Sequence, residues 1–174
     1  MKKHLLYSVA LLVLGAAVSG DGFADQNATS GKIEFTGQVI NVPCEIDQSS
    51  TNLTASLDPV NASVFKSVGD TAGEKTFSIK LKNCGSYQGN ATLAFSGTAA
   101  TPESFVFSGI TGVALQMLDN SDNSVIVNGT TKQWPINSGA AEYKFRARYV
   151  ATAEQAKIVG GNGSTTVLFA LTYN

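Results

Sequence analysis

Two stretches of this chain, 76-TFSIKLK-82 and 143-YKFRARYV-150, alternate apolar and polar residues with a period of two. Phe77, Ile79 and Leu81 fall on one side of the first, opposite Ser78, Lys80 and Lys82. Tyr143, Phe145, Ala147 and Tyr149 oppose Lys144, Arg146 and Arg148 in the second. Successive side chains point to opposite faces of a strand, so each stretch reads as a strand with its apolar face in a core and its charges in water. Shorter runs of the same kind recur at 53-LTASL-57, 91-ATLAFSG-97, 105-FVFSG-109, 113-VALQML-118, 124-SVIV-127 and 165-TTVLFALTY-173. Turn chemistry separates them at Asp58-Pro59, 69-GDTAG-73, Asn128-Gly129 and 160-GGNGS-164. Only 60-VNASVFKSV-68 has room for a turn or two of helix. Many short strands at this spacing predict an all-β sandwich or barrel.

The first two dozen residues read as a targeting segment. Lys2 and Lys3 precede the apolar stretch 5-LLYSVALLVLGAAV-18, and small residues follow, with Gly22-Phe23-Ala24 before Asp25 as the expected cut and Val18-Ser19-Gly20 as the alternative. The apolar run is short for a bilayer span, and no later stretch approaches the ~18 apolar residues that a span needs. Residues 1–24 are therefore read as a signal peptide, and the exported remainder as one domain with enough chain to bury a core. Loss of the leader removes Lys2, Lys3 and Asp21, leaving ten basic and twelve acidic residues. With that balance and no basic cluster, nucleic acid is not an expected partner.

Cys44 and Cys84 are an even pair in an exported chain, so a disulfide is expected, closing a loop that contributes about 4 kcal/mol in the chain-entropy model. The single histidine, His4, leaves with the leader. Histidine-based triads and the common zinc sites then lack their parts, and no metal, cofactor or catalytic residue is assigned. A hydrolase is the weakest reading, because no carboxylate pair stands at a recognisable spacing either.

Both ends of the expected exported chain read as strands. The opening segment 32-KIEFTGQVINVPC-44 alternates through Ile33, Phe35, Gly37 and Val39, and the last run alternates through Val167, Phe169, Leu171 and Tyr173. Glycine is a poor strand residue unless another backbone comes close, which makes Gly37 notable. An apolar strand at a sheet edge invites pairing with another chain. The opening segment is apolar, alternating and detachable, so it is the natural candidate to fill such an edge on a neighbour.

The pattern Ile33-x-Phe35-x-Gly37-x-Val39 followed by Cys44, the second cysteine in 82-KNCGS-86, the stretch 147-ARYVAT-152, Gly161 and Tyr173 stand in order over nearly all of the expected exported chain. Taken together they resemble the subunits of chaperone–usher fimbriae, the type 1 and P pilus class of pilins. The resemblance implies an incomplete immunoglobulin-like sandwich lacking its last strand, carried by residues 41–174, with a donor-strand extension at 25–40. It implies a groove edged by Val167, Phe169, Leu171 and Tyr173, with Gly161 nearby, that a periplasmic chaperone fills first. At an outer-membrane usher, the extension of the next subunit then replaces the chaperone. The product would be a head-to-tail polymer of neighbouring pilin subunits, exported through the periplasm to the cell surface as a fimbria that supports adhesion to host surfaces. Major shaft subunit, minor adaptor and terminator are all compatible with the pattern.

The competing expectation is a self-complete secreted β-sandwich that binds a glycan, with Trp134 in 132-KQWPINSG-139 as a stacking platform. A lone tryptophan beside proline is more simply the anchor of a loop. The six Asn-x-Ser/Thr triplets, at Asn27, Asn52, Asn61, Asn90, Asn128 and Asn162, would suggest glycans in a eukaryotic secretory route, and read as turn and surface chemistry in the bacterial source that the resemblance implies.

Overall fold

A computed structural model describes residues 31–37, 43–137 and 139–174. The chain divides into two units between Val39 and Ile40. The expected leader and Val39 of the opening stripe lie outside the described residues. In the first unit, residues 31–37 join no ladder, and Ile33 and Phe35 expose 77% and 88% of their surface.

The second unit is a two-sheet sandwich of nine strands among the described residues: β1 (Glu45–Ile46), β2 (Thr71–Lys82), β3 (Asn90–Ser96), β4 (Ala99–Thr101), β5 (Ser104–Val106), β6 (Val113–Asp119), β7 (Thr131–Pro135), β8 (Ala141–Ala151) and β9 (Leu168–Tyr173). Six strands form one sheet in the order β1-β2-β8-β6-β5-β4, and three form the other in the order β7-β3-β9. The two long alternating stretches are the centre of the first sheet, where β2 and β8 pair antiparallel with Phe77 opposite Phe145 and Ile79 opposite Tyr143. Phe145 is fully buried and packs on Phe77, Phe95 and Trp134 at ring separations of 5.5, 5.1 and 5.5 Å, so one β8 side chain ties the two sheets together.

The β2–β8 register shifts between Ala72 and Lys75. Gly73 sits there at φ +66°, where an added Cβ would meet the Tyr149 ring at 2.8 Å. A glycine is what allows the strand to bulge against that ring.

Cys44 and Cys84 form the expected disulfide, tying the residue before β1 to the turn after β2. This defines one end of the sandwich, where β9 also finishes: Tyr173 pairs opposite Ala91 and its hydroxyl donates to the Cys44 carbonyl at 2.8 Å. The opposite end gathers the loop before β2, the β5–β6 connection and the segment after β8. Gly69 N–H donates to the Ala151 carbonyl there, and Thr111 and Val159 exchange backbone hydrogen bonds.

Several sequence expectations need correction. The run 53–57 is not a strand, because it joins no ladder among the described residues. The run 105–109 contracts to β5, and 124–127 keeps a single bridge, Val125 to Leu118. The helical turn within 60–68 is a short 3-10 turn, Ala62–Val64, capped by the Asn61 side chain accepting from Ser63 N–H. A four-residue helix, Gln48–Thr51, is capped in the same way by Asp47, and a single turn of this length carries no periodic signal in the sequence. Trp134 anchors no loop; it lies on β7.

Trp134 is 6% exposed, and its indole N–H donates to Asp119 Oδ2 at 2.9 Å. The same carboxylate, itself buried, accepts from the Lys132 ammonium and from the Ser121 N–H and hydroxyl. Burial pushes the Asp119 carboxyl up, but these donors outweigh it and hold it below the ordinary carboxylate range. A depressed carboxylate contributes stability that is present above its unfolded value and lost as pH falls through the folded one. Asp119→Asn is therefore expected to cost about 2 kcal/mol at pH 7, with the gap to wild type closing below about pH 4, around the ordinary carboxyl value. Urea unfolding at pH 7 and pH 3 measures this, and a gap of equal size at both would refute the charge argument.

Candidate functional site

The segment 51–57 and the segment 163–169 stand as two walls of an apolar groove of about 890 Å³. Local chemistry places both. The first wall follows the helix that holds β2 through Ser50, whose hydroxyl accepts from Lys80 N–H at 2.9 Å, and it runs from the disulfide end toward the opposite end. The second wall leads into β9 and runs back the other way. β9 pairs with β3 on one side only and is the edge of its sheet. Both walls therefore offer backbone groups to a further strand, which is the chemistry of strand addition.

The floor comes from both sheets: Phe77 and Ile79 of β2, Ala147 and Tyr149 of β8, Leu115 and Met117 of β6, and Phe95 of β3. No lining residue carries a charge. The inward residues of the last strand are only half-buried: Val167, Phe169, Leu171 and Tyr173 pack on the core and alternate with exposed Leu168, Ala170 and Thr172. β9 thus has an inner face that is only half-buried and one side whose backbone is unpaired.

The expected residues divide as follows. Val167 and Phe169 line the groove. Leu171 and Tyr173 face inward beyond its end, where burial pushes the Tyr173 phenol up and keeps it a hydrogen-bond donor to the Cys44 carbonyl. Gly161 lies two residues ahead of the wall, and an added Cβ there would stand 2.5 Å from the Gly109 carbonyl oxygen. Its local reading as a simple turn residue gives way to a close backbone approach. Gly161→Ala is expected to destabilise the subunit by about 1–3 kcal/mol, as overpacking does; an unchanged thermal midpoint would show that the loop yields freely.

The sequence did not indicate the opposite wall or most of the floor as parts of a site. The alternation of 53-LTASL-57 is the available signal, although by period alone it reads as an ordinary strand. Trp134 offers no stacking face at 6% exposure, so the residue on which the glycan reading rested is in the core. Among the described residues no group of side chains is placed to hold a metal ion, and no helix is long and apolar enough to cross a membrane.

A model of the fimbrial protein family matches residues 33–174. The chain is 33% identical over 180 residues to a probable major fimbrial subunit, LpfA, of Escherichia coli O157:H7, covering 99% of this chain and 97% of that one. It is 30% identical over 161 residues to the A chain of the type 1 fimbrial protein of Escherichia coli, covering 83% and 88%. Among solved structures, a type I fimbria protein and antigen of Burkholderia pseudomallei superposes with a TM-score of 0.58 at 40% identity, covering 83% of this chain and 99% of that one. The P pilus rod subunit PapA superposes with a TM-score of 0.66 at 22% identity, covering 76% and 100%, a likeness of fold. With an immunoglobulin-like sandwich, a match over most of its length and these relatives, the chain belongs to the fimbrial protein family and is a structural subunit of a surface fimbria.

Proposed function

We propose that this subunit polymerises by donor-strand exchange, with residues 25–40 as the donor and residues 41–174 as the acceptor domain. The observation that carries the reading is the uncharged groove between two unpaired backbone edges. Its walls are seven residues each, about 23 Å at strand rise, and the stripe from Ile33 to Val39 is also seven residues. Ile33, Phe35 and Val39 of an incoming copy would enter the groove, with Gly37 where the approach is closest. Burial of those three side chains would stabilise the joint by roughly 5–8 kcal/mol, and ladder hydrogen bonds along both walls would add direction and register. A head-to-tail contact of this kind does not close on itself, so it builds an open fibre.

Before assembly the same apolar groove needs cover. We assign that role to a periplasmic chaperone laid along Val167, Phe169, Leu171 and Tyr173, exchanged at an outer-membrane usher for the next subunit. The major subunit named among the relatives favours the shaft over an adaptor or terminator. Adhesion to host surfaces would then be a property of the assembled fibre.

The deciding experiment removes residues 25–40. The truncated subunit should still be recovered with its chaperone, while cells producing it as the sole subunit carry no fibres by electron microscopy. Fibres of wild-type length from the truncated subunit would overturn the proposal.

A further inference from the structure

We infer a second contact between consecutive subunits: an apolar platform at the end of the sandwich opposite the disulfide, made by Val64, Val68 and Val159, that seats the body of the next copy. The inference rests on the strand-exchange reading and adds to it a surface that the strand itself does not touch.

The argument begins with polarity. Cys44 is bonded to Cys84 and Glu45 pairs with Lys82, so the chain leaves the sandwich toward its extension at the disulfide end. In a fibre that repeats head to tail, the incoming extension must enter at the other end. There one wall of the groove finishes at Leu57 and the other starts at Gly163. The donor's body then stands over the loops of that end.

Those loops are unusually apolar. Eight large hydrophobic side chains are exposed among the described residues. Ile33 and Phe35 belong to the extension, and Leu53 and Leu168 line the groove. Of the remaining four, Val64, Val68 and Val159 share this one end, at 48%, 57% and 62% exposure. Surface loops ordinarily present polar side chains, and a group of exposed apolar ones marks a contact.

The loops that carry these valines are held in place. Asn61 accepts from Ser63 N–H at 2.9 Å beside Val64, and Asp70 accepts from the N–H groups of Lys66 and Ser67 at 2.7 and 2.9 Å around Val68. Val159 is fixed by two 3.1 Å backbone bonds to Thr111. Beneath them Phe65, Val113 and Ala151 form a small core of their own. Side chains displayed on pinned turns lose little freedom on contact, which favours association.

The occupant is a second copy, presented through the turn 83–89 at its disulfide end. That turn, Asn-Cys-Gly-Ser-Tyr-Gln-Gly, carries no charge, so contact with an apolar platform does not incur the large cost of desolvating an ion. The platform would restrict the angle between consecutive bodies, whereas the strand alone is a tether. The joint should be stiff because of the valines and continuous because of the strand.

The test replaces all three valines together, Val64→Ser, Val68→Ser and Val159→Ser. Each exposes 48% or more of its surface, so the subunit should fold. Fibres are expected in wild-type amounts but with a persistence length in electron micrographs reduced at least twofold. An unchanged persistence length overturns the inference and leaves strand exchange standing. A second measurement does not depend on that variant: Val159→Cys combined with Gln88→Cys, treated with a short bismaleimide, should give a ladder of covalently linked subunits. Either cysteine alone should give none. Absence of a ladder from intact fibres also overturns the platform. Fibres from the subunit lacking residues 25–40 would remove the strand-exchange reading, and the platform argument with it.

Discussion

Phe35→Arg is expected to stop fibre growth while leaving the folded subunit as stable as wild type. Phe35 is 88% exposed in the free subunit, so its replacement there is a surface change within about 0.5 kcal/mol. In the joint the same residue would enter a groove whose lining has no charge to meet a guanidinium. The exchange forfeits about 2–3 kcal/mol of phenyl burial and adds several kcal/mol for an unpaired ion out of water. A total of about 5 kcal/mol corresponds to nearly four orders of magnitude in the strength of the joint. Thermal unfolding of the chaperone-free subunit and counts of surface fibres measure the two sides separately. Phe35→Leu, which keeps the burial, should assemble. Fibres of normal number and length from Phe35→Arg would mean that the stripe is not the donor.

The architecture was legible wherever one strand face is buried and the other is solvated. In 76–82 and 143–150, Ile79, Leu81, Tyr143, Phe145 and Ala147 are all buried, while on the other face Lys80 and Lys144 are exposed and Lys82, Arg146 and Arg148 are half-buried. β7 was not legible, because 131-TKQWP-135 buries only Trp134 and one apolar residue has no period. Its position at a sheet edge also accounts for Pro135, which a central strand would not tolerate. β4 buries none of its three residues, so nothing in its composition announces a strand. The run 53–57 failed in the opposite direction: Leu53, Ala55 and Leu57 alternate as a strand should, yet the ladder that alternation anticipates has no partner among the described residues.

The site divides along the same line. One wall could be read from the last run, since Val167 and Phe169 follow the two-residue period into the groove. The floor could not be, because Phe77, Met117 and Tyr149 are ordinary inward residues of three different strands. Nothing local distinguishes a core position that is covered from one that is left open. Gly161 belongs to the same class, since its constraint is the Gly109 carbonyl fifty-two residues away in sequence. Such features come from which segments meet, and a single sequence encodes that only through the whole fold.

Removal of the disulfide is expected to act on the subunit itself, the reverse of the Phe35 result. Cys44→Ser with Cys84→Ser opens a loop with a sequence separation of 40 residues, and the chain-entropy model assigns such a loop about 4 kcal/mol. Against a total of about 5–15 kcal/mol for a domain, that loss removes between about a quarter and four-fifths of the stability. The groove should fail along with it, because the Cys44 carbonyl is the acceptor that holds the Tyr173 hydroxyl, and through it the end of β9. Tyr173→Phe isolates that last link and should cost about 1 kcal/mol. Urea unfolding of the three proteins orders them: the cysteine variant far below wild type, Tyr173→Phe slightly below, and Phe35→Arg level with it. If the cysteine variant unfolds within 1 kcal/mol of wild type, the disulfide holds neither the fold nor the wall. The groove would then owe its shape to the β3–β9 ladder alone.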